Sequence, residues 1–72
     1  MAISADMKLI LNGETHQAPD GVTVQAFLAA LGIPEKGVAV ERNLEIVPKS
    51  AFGDVRLQDG DKLEIIQFVG GG

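Results

Sequence analysis

Seventy-two residues suit one small domain, which buries only about 60% of its unfolded surface and keeps a thin stability margin. The chain is 46% hydrophobic with a formal charge of −4; it reads as folded, and without a Lys/Arg cluster it is excluded from phosphate-driven nucleic-acid binding. It has no cysteine, which excludes disulfides, thiolate-held zinc, cysteine-ligated iron–sulfur clusters and a persulfide carried on the chain itself.

Met7 to Leu11 alternates as a strand, with Met7, Leu9 and Leu11 on one face. Asn12-Gly13 is the turn of a hairpin, because both central residues of such a turn need positive φ. Glu14 to Ala18 returns, and Pro19-Asp20-Gly21 breaks the sheet. Thr23 is the expected N-cap of a helix whose apolar stripe is Val24, Phe27, Leu28 and Leu31. Gly32 suits a left-handed C-cap, and Pro34 stops the helix.

Val38 to Glu41 alternates as a third strand, and Glu45-Ile46-Val47 is a short extended piece closed by Pro48. Val55-Arg56-Leu57 is another short segment, Asp59-Gly60-Asp61 a turn, and Lys62 to Val69 the last strand. One helix with one apolar stripe covers one face of one mixed sheet. The expected fold is therefore α+β, a β-grasp roll of four to five strands around a single helix. Its first and last strands would run parallel at the centre, with Met7, Leu9, Leu11, Leu63, Ile65, Val38 and Val40 on the core face. Ile10, Ile66 and Phe68 are left over for the other face, where they form a candidate docking patch. The expected organisation is a flexible extension at 1–6, the domain at 7–69 and a flexible glycine tail at 70–72. No apolar run approaches the roughly 18 residues of a membrane span, and Met1 to Asp6 is no signal peptide, so cytoplasm is the expected location.

Catalytic machinery of its own is not expected. His16 is the single histidine, and no cysteine can partner it. Ser4 and Ser50 have no triad partner. Asp59, Asp61 and Glu64 offer too few oxygens for a calcium loop, so no metal site is expected, and Glu41 and Glu45 read as solvated. The glycine run Gly70-Gly71-Gly72 follows a strand rather than lying between a strand and a helix, which excludes a phosphate-binding loop. It presents a main-chain carboxylate on three residues that span roughly 10 Å when extended, without a Cβ to obstruct a narrow channel. Adenylation by ATP would give that carboxylate a leaving group, and a sulfur nucleophile would then leave a thiocarboxylate at Gly72.

MKLILNGE (Met7 to Glu14), PDGVTVQAFLAALG (Pro19 to Gly32), VAVERNLEIVPKS (Val38 to Ser50), LQDGDKLEII (Leu57 to Ile66) and the final GGG together resemble the ThiS family of sulfur carriers in thiamin thiazole biosynthesis. The resemblance covers nearly everything from Met7 onward. It implies a ubiquitin-like β-grasp fold, with Gly71 and Gly72 as the reactive tail. It implies as partners a ThiF-type adenylating enzyme using ATP, a ThiG-type thiazole synthase and a sulfur donor protein, with no cofactor bound by the carrier. Family members usually begin near Met7, so Met1 to Asp6 is an extension, and Lys49 stands where arginine is common. The small subunit of molybdopterin synthase, a ubiquitin-like modifier joined through Gly72, and a passive interaction module with an inert tail remain as competing readings.

Overall fold

The computed structural model describes residues 6–68. Strands β1 (Asp6–Leu11) and β2 (Glu14–Pro19) form a hairpin, followed by helix α1 (Val24–Ala30). Strands β3 (Val38–Arg42) and β4 (Glu45–Val47) form a second hairpin; a 3₁₀ turn (Lys49–Ala51) and β5 (Lys62–Gln67) complete the order. The five strands make one sheet in the order β2-β1-β5-β3-β4, and β1 and β5 are its parallel pair.

The expected fold class and core face are both present. Met7, Leu9 and Leu11 of β1, Val38 and Val40 of β3, and Leu63 and Ile65 of β5 are buried against Val24, Phe27 and Leu28 of α1. Thr23 caps the helix, its Oγ1 accepting from the Ala26 N–H at 3.1 Å. Gly32 takes φ +72° just past the helix, as a left-handed C-cap requires.

Both hairpins turn through consecutive residues with positive φ: Asn12 at 48° and Gly13 at 86°, then Asn43 at 51° and Leu44 at 72°. Asparagine tolerates this region and glycine is made for it, but a γ-branched side chain is strained there. Leu44 is also 90% exposed, so no packing offsets the strain. Leu44→Gly is expected to stabilise the domain by about 0.5–1 kcal/mol, the relieved strain exceeding the added entropy of the unfolded chain. Chemical denaturation of the two proteins measures this difference.

The two turn asparagines both hold β5. The pairing of β1 with β5 spans only Ile10 with Lys62 and Leu11 with Leu63. The Asn12 side chain extends it, its Oδ1 accepting from Ile65 N–H at 2.9 Å and its Nδ2 donating to Ile65 C=O at 3.3 Å. On the other flank, Asn43 Oδ1 accepts from Lys62 N–H at 3.0 Å. The strand that leads to the glycine end is thus tied on both sides by amides standing in for peptide groups.

Several details differ from the sequence reading. β2 runs through Pro19, expected to break the sheet after Ala18, and β3 runs through Arg42 rather than ending at Glu41. β1 takes in Asp6, which pairs with Pro19, one residue before the expected start at Met7. Val55–Leu57 is not a strand. It makes one bridge, Thr23 with Arg56, through hydrogen bonds Val24 N–H to Val55 C=O and Leu57 N–H to Val22 C=O. Lys49–Ala51 coils tightly after Pro48 and delivers Phe52 into the core, a role a lone aromatic among polar residues does not announce. β5 ends at Gln67 and Phe68 is not part of it, so the last strand is shorter than the expected Lys62 to Val69. The expected extension up to Ala5, and Val69, Gly70, Gly71 and Gly72, lie outside the described residues.

Candidate functional site

β5 occupies the middle of the sheet and alternates cleanly, with Leu63 and Ile65 buried and Lys62, Glu64 and Ile66 facing away from α1. Phe68 follows the strand and donates its N–H to Gly37 C=O at 2.9 Å, which holds it beside the start of β3. Ile66 is 51% exposed and Phe68 66% exposed. Ala39 lies directly opposite Ile66, so an apolar strip runs along the outer face toward the glycine end.

Ile10 does not join this strip. The parallel register sets it opposite Lys62, and it is partly buried. Ile66 is four residues farther along β5, roughly 13 Å at strand rise. Alternation assigns the face of Ile10 correctly, but only the register of a non-local parallel pair fixes its position along that face. Two exposed apolar side chains were missed: Ile46, which is 63% exposed, and Leu44 at the hairpin tip. The sequence did not mark Ile46: Ile46 and Val47 are both apolar, and only the pairing of Val47 with the core residue Val40 turns Ile46 outward.

The acidic turn before β5 is put to structural use. Asp61 is buried, and its carboxylate accepts three hydrogen bonds: Arg42 Nε at 2.8 Å, Asn43 Nδ2 at 3.0 Å and Gln58 N–H at 2.8 Å. Burial by itself would raise its pKa. The hydrogen bonds from Asn43, Gln58 and Arg42, with the Arg42 charge, outweigh that and hold it below the ordinary carboxylate value. Asp59 Oδ1 accepts from Lys8 N–H at 2.8 Å. These carboxylates clamp the entry to β5 rather than converge on a cation. Among the described residues no group of three or more His, Asp or Glu side chains is placed to hold a metal.

Nor does His16 stand in a catalytic setting. It lies on edge strand β2 with its ring edge-on to Phe27, centroids 6.4 Å apart, and Nε2 at 4.0 Å from the Glu14 carboxylate. A cleft of about 150 Å³ beside β4, lined by Arg42, Glu45, Ile46, Val47, Pro48 and Val55, is well below the roughly 300–1,000 Å³ of ordinary small-molecule sites. No helix among the described residues is long and apolar enough to cross a membrane.

A five-stranded mixed sheet wrapped on one helix defines a ubiquitin-like β-grasp protein, here with an apolar strip on its central strand. Comparison with known proteins then resolves the family. The ThiS family model matches residues 4–72, and the chain belongs to that family. The sulfur carrier protein ThiS of Bacillus subtilis is 45% identical over 65 residues, which are 89% of this chain and 98% of the relative. A thiazole synthase of Paramagnetospirillum magneticum is 56% identical over 66 residues, 92% of this chain. The chain spans about a fifth of the length of the thiazole synthases that it matches. Among solved structures, the thiamine biosynthesis protein (ThiS) of Geobacter metallireducens superposes with TM-score 0.79 at 33% identity, covering 92% of this chain and all of that one.

Proposed function

We propose that this protein is a sulfur carrier for thiazole formation in thiamin biosynthesis, and that the Gly72 carboxylate is its working group. The ThiS-family match across residues 4–72 carries the reading, and the sulfur carrier ThiS of Bacillus subtilis, matched over nearly its whole length, supports it. A carboxylate resists attack by nucleophiles because its charge is delocalised and oxide does not leave. Attack of the Gly72 carboxylate on the α-phosphorus of ATP, releasing pyrophosphate, gives an acyl-adenylate. A hydrosulfide-equivalent nucleophile then displaces AMP, and a thiocarboxylate remains. Without a cysteine, these seventy-two residues cannot carry the sulfur as a persulfide instead. The thiocarboxylate is ionised near neutral pH and soft, and it delivers sulfur by attacking a carbonyl or imine carbon.

The protein in this reading is a co-substrate, and the catalysts are its partners: a ThiF-type adenylating enzyme that uses ATP, a sulfur donor protein and a ThiG-type thiazole synthase. The thiazole synthases that contain a similar segment support the last of these. Gly71 and Gly72 form the reactive tail. The docking surface is the strip of Ile66 and Phe68, without Ile10, which the parallel register sets opposite Lys62. Phe68→Ala is expected to leave stability within about 0.5 kcal/mol, since the side chain is solvated, and to weaken adenylation roughly tenfold or more through loss of a buried aromatic anchor. Thermal denaturation and the KM for the carrier read the two effects.

The direct test is mass spectrometry of the peptide following Lys62, after incubation with ATP, a ThiF-type enzyme and sulfide. Leu63 to Gly72 contains neither methionine nor cysteine, so a sulfur-for-oxygen gain there is a thiocarboxylate and not an oxidised side chain. An unchanged peptide, with the enzyme active on its own carrier, rejects the sulfur-carrier reading.

A further inference from the structure

Glu41 of β3 and Glu64 of β5 stand directly opposite one another in the antiparallel register. Their neighbours Val40 and Ile65, also a cross-strand pair, face the core. Both carboxylates therefore project from the outer face, with Cβ atoms about 4.5–5.5 Å apart. Like charges in this arrangement destabilise a sheet. Among the described residues neither carboxylate has an ion pair; the two charged contacts found are His16 with Glu14 and Arg42 with Asp61. Lys62 faces outward two residues before Glu64 but forms no ion pair with it, so no ion pair within the described residues explains the carboxylate pair.

Its surroundings do. Ile46 lies opposite Glu41 across β3 and β4, and Ile66 is the next outward residue along β5 from Glu64. Two carboxylates thus sit between two exposed apolar side chains, with Phe68 beyond. A partner that covers Ile66 and Phe68 also covers or closely borders Glu64. Dehydrating two unpaired carboxylates is strongly unfavourable, whereas a cation placed between them under an apolar cover is attracted more strongly than in water.

Resting on the sulfur-carrier reading, we infer that Glu41 and Glu64 form a two-carboxylate seat for an arginine or lysine presented by the adenylating partner. Charge complementarity favours that partner. An enzyme that binds the ATP triphosphate and an incoming carboxylate must surround that site with positive charge, and a carrier of charge −4 is steered toward it. The seat lies on the same strand as Ile66 and upstream of the glycines, where it orients β5 toward that site.

The seat costs the free protein stability and benefits the complex, so its removal moves two readouts in opposite directions. Full-length Glu41→Gln, Glu64→Gln and the double variant are compared with Asp54→Asn, an exposed carboxylate in the turn after Ala51. Thermal midpoints are measured beside KM and kcat for carrier-dependent pyrophosphate release by the ThiF-type enzyme at low and high salt. The single seat variants are expected to melt about 1–4 °C higher. Their KM is expected to rise about tenfold at low salt with kcat retained, and the salt dependence should flatten. Unchanged KM, or an equal rise in Asp54→Asn, overturns the seat. Normal adenylation with impaired thiazole formation overturns its assignment to this partner and gives it to the synthase. A wild-type chain that is not adenylated at all instead rejects the carrier reading on which the seat rests.

Discussion

Deleting Gly71 and Gly72 is expected to abolish thiocarboxylate formation while leaving the fold intact. The truncated chain still ends in a glycine carboxylate, so chemical type is not what it loses. Its carboxyl carbon is withdrawn by two residues, at most about 7 Å. Acyl transfer needs reacting atoms within roughly 3–3.5 Å, and a misplacement of about 1 Å can cost two orders of magnitude. Adenylation should therefore fall by at least about a thousandfold. Stability should not change, because the buried core of the described residues ends at Ile65. The peptide assay and a thermal melt on the same sample separate the two effects. A passive interaction module would keep its partner binding after the deletion. A ubiquitin-like modifier would lose activity as the carrier does, but the intact chain would leave isopeptide-linked Gly-Gly remnants on other proteins. A molybdopterin-type carrier is distinguished by its acceptor, since its thiocarboxylate would serve a molybdopterin precursor and not a thiazole.

Much of this architecture was legible because it rests on local rules. The alternation of Met7 to Leu11, the Asn12-Gly13 turn, the Thr23 cap and the Gly32-x-Pro34 stop are each decided by a few neighbouring residues, and the structure contains all four. The single apolar stripe of the helix then dictates one sheet with one covered face. What stayed hidden depends on pairing across the chain. Ile10 and Ile66 share a face, yet only the offset of β1 against β5 separates them. Glu41 reads as a solvated residue until Glu64 is found opposite it, 23 positions away in sequence. The Asp59-Gly60-Asp61 turn was correctly read as a turn, and Gly60 has φ +87°. The burial of Asp61 was not legible, because its partners Arg42 and Asn43 belong to a different hairpin.

That buried carboxylate carries the second large prediction. Asp61→Ala is expected to destabilise the domain by about 2–4 kcal/mol. The substitution removes an acceptor of three hydrogen bonds and leaves the partly buried guanidinium of Arg42 without its counter-charge. For a domain of this size, with total stability on the order of 4–11 kcal/mol, that is a large share. Asp61→Asn should cost less but not be neutral. Its single oxygen can replace Oδ2 and satisfy Arg42 and Gln58, and its NH₂ then meets the Nδ2 donor of Asn43. Asn43 cannot flip to relieve this, because its Oδ1 already accepts from Lys62. The pH dependence has a definite sign. The folded-state pKa of Asp61 is depressed, so its contribution is fully present above the unfolded carboxylate value of about 3.9. It is lost as pH falls below that value and through the folded one. The stability gap between wild type and Asp61→Asn should therefore be constant near neutrality and close only in that acid range. Denaturant titrations at pH 7, 5, 4 and 3 would show it, and a gap that does not narrow with acid would mean that the carboxylate's charge contributes nothing. Because Asp61 and Asn43 together fix the entry to β5, the same substitutions should loosen the strand that presents Ile66 and Phe68. Amide exchange at Lys62 and Leu63 should accelerate before any global unfolding is seen.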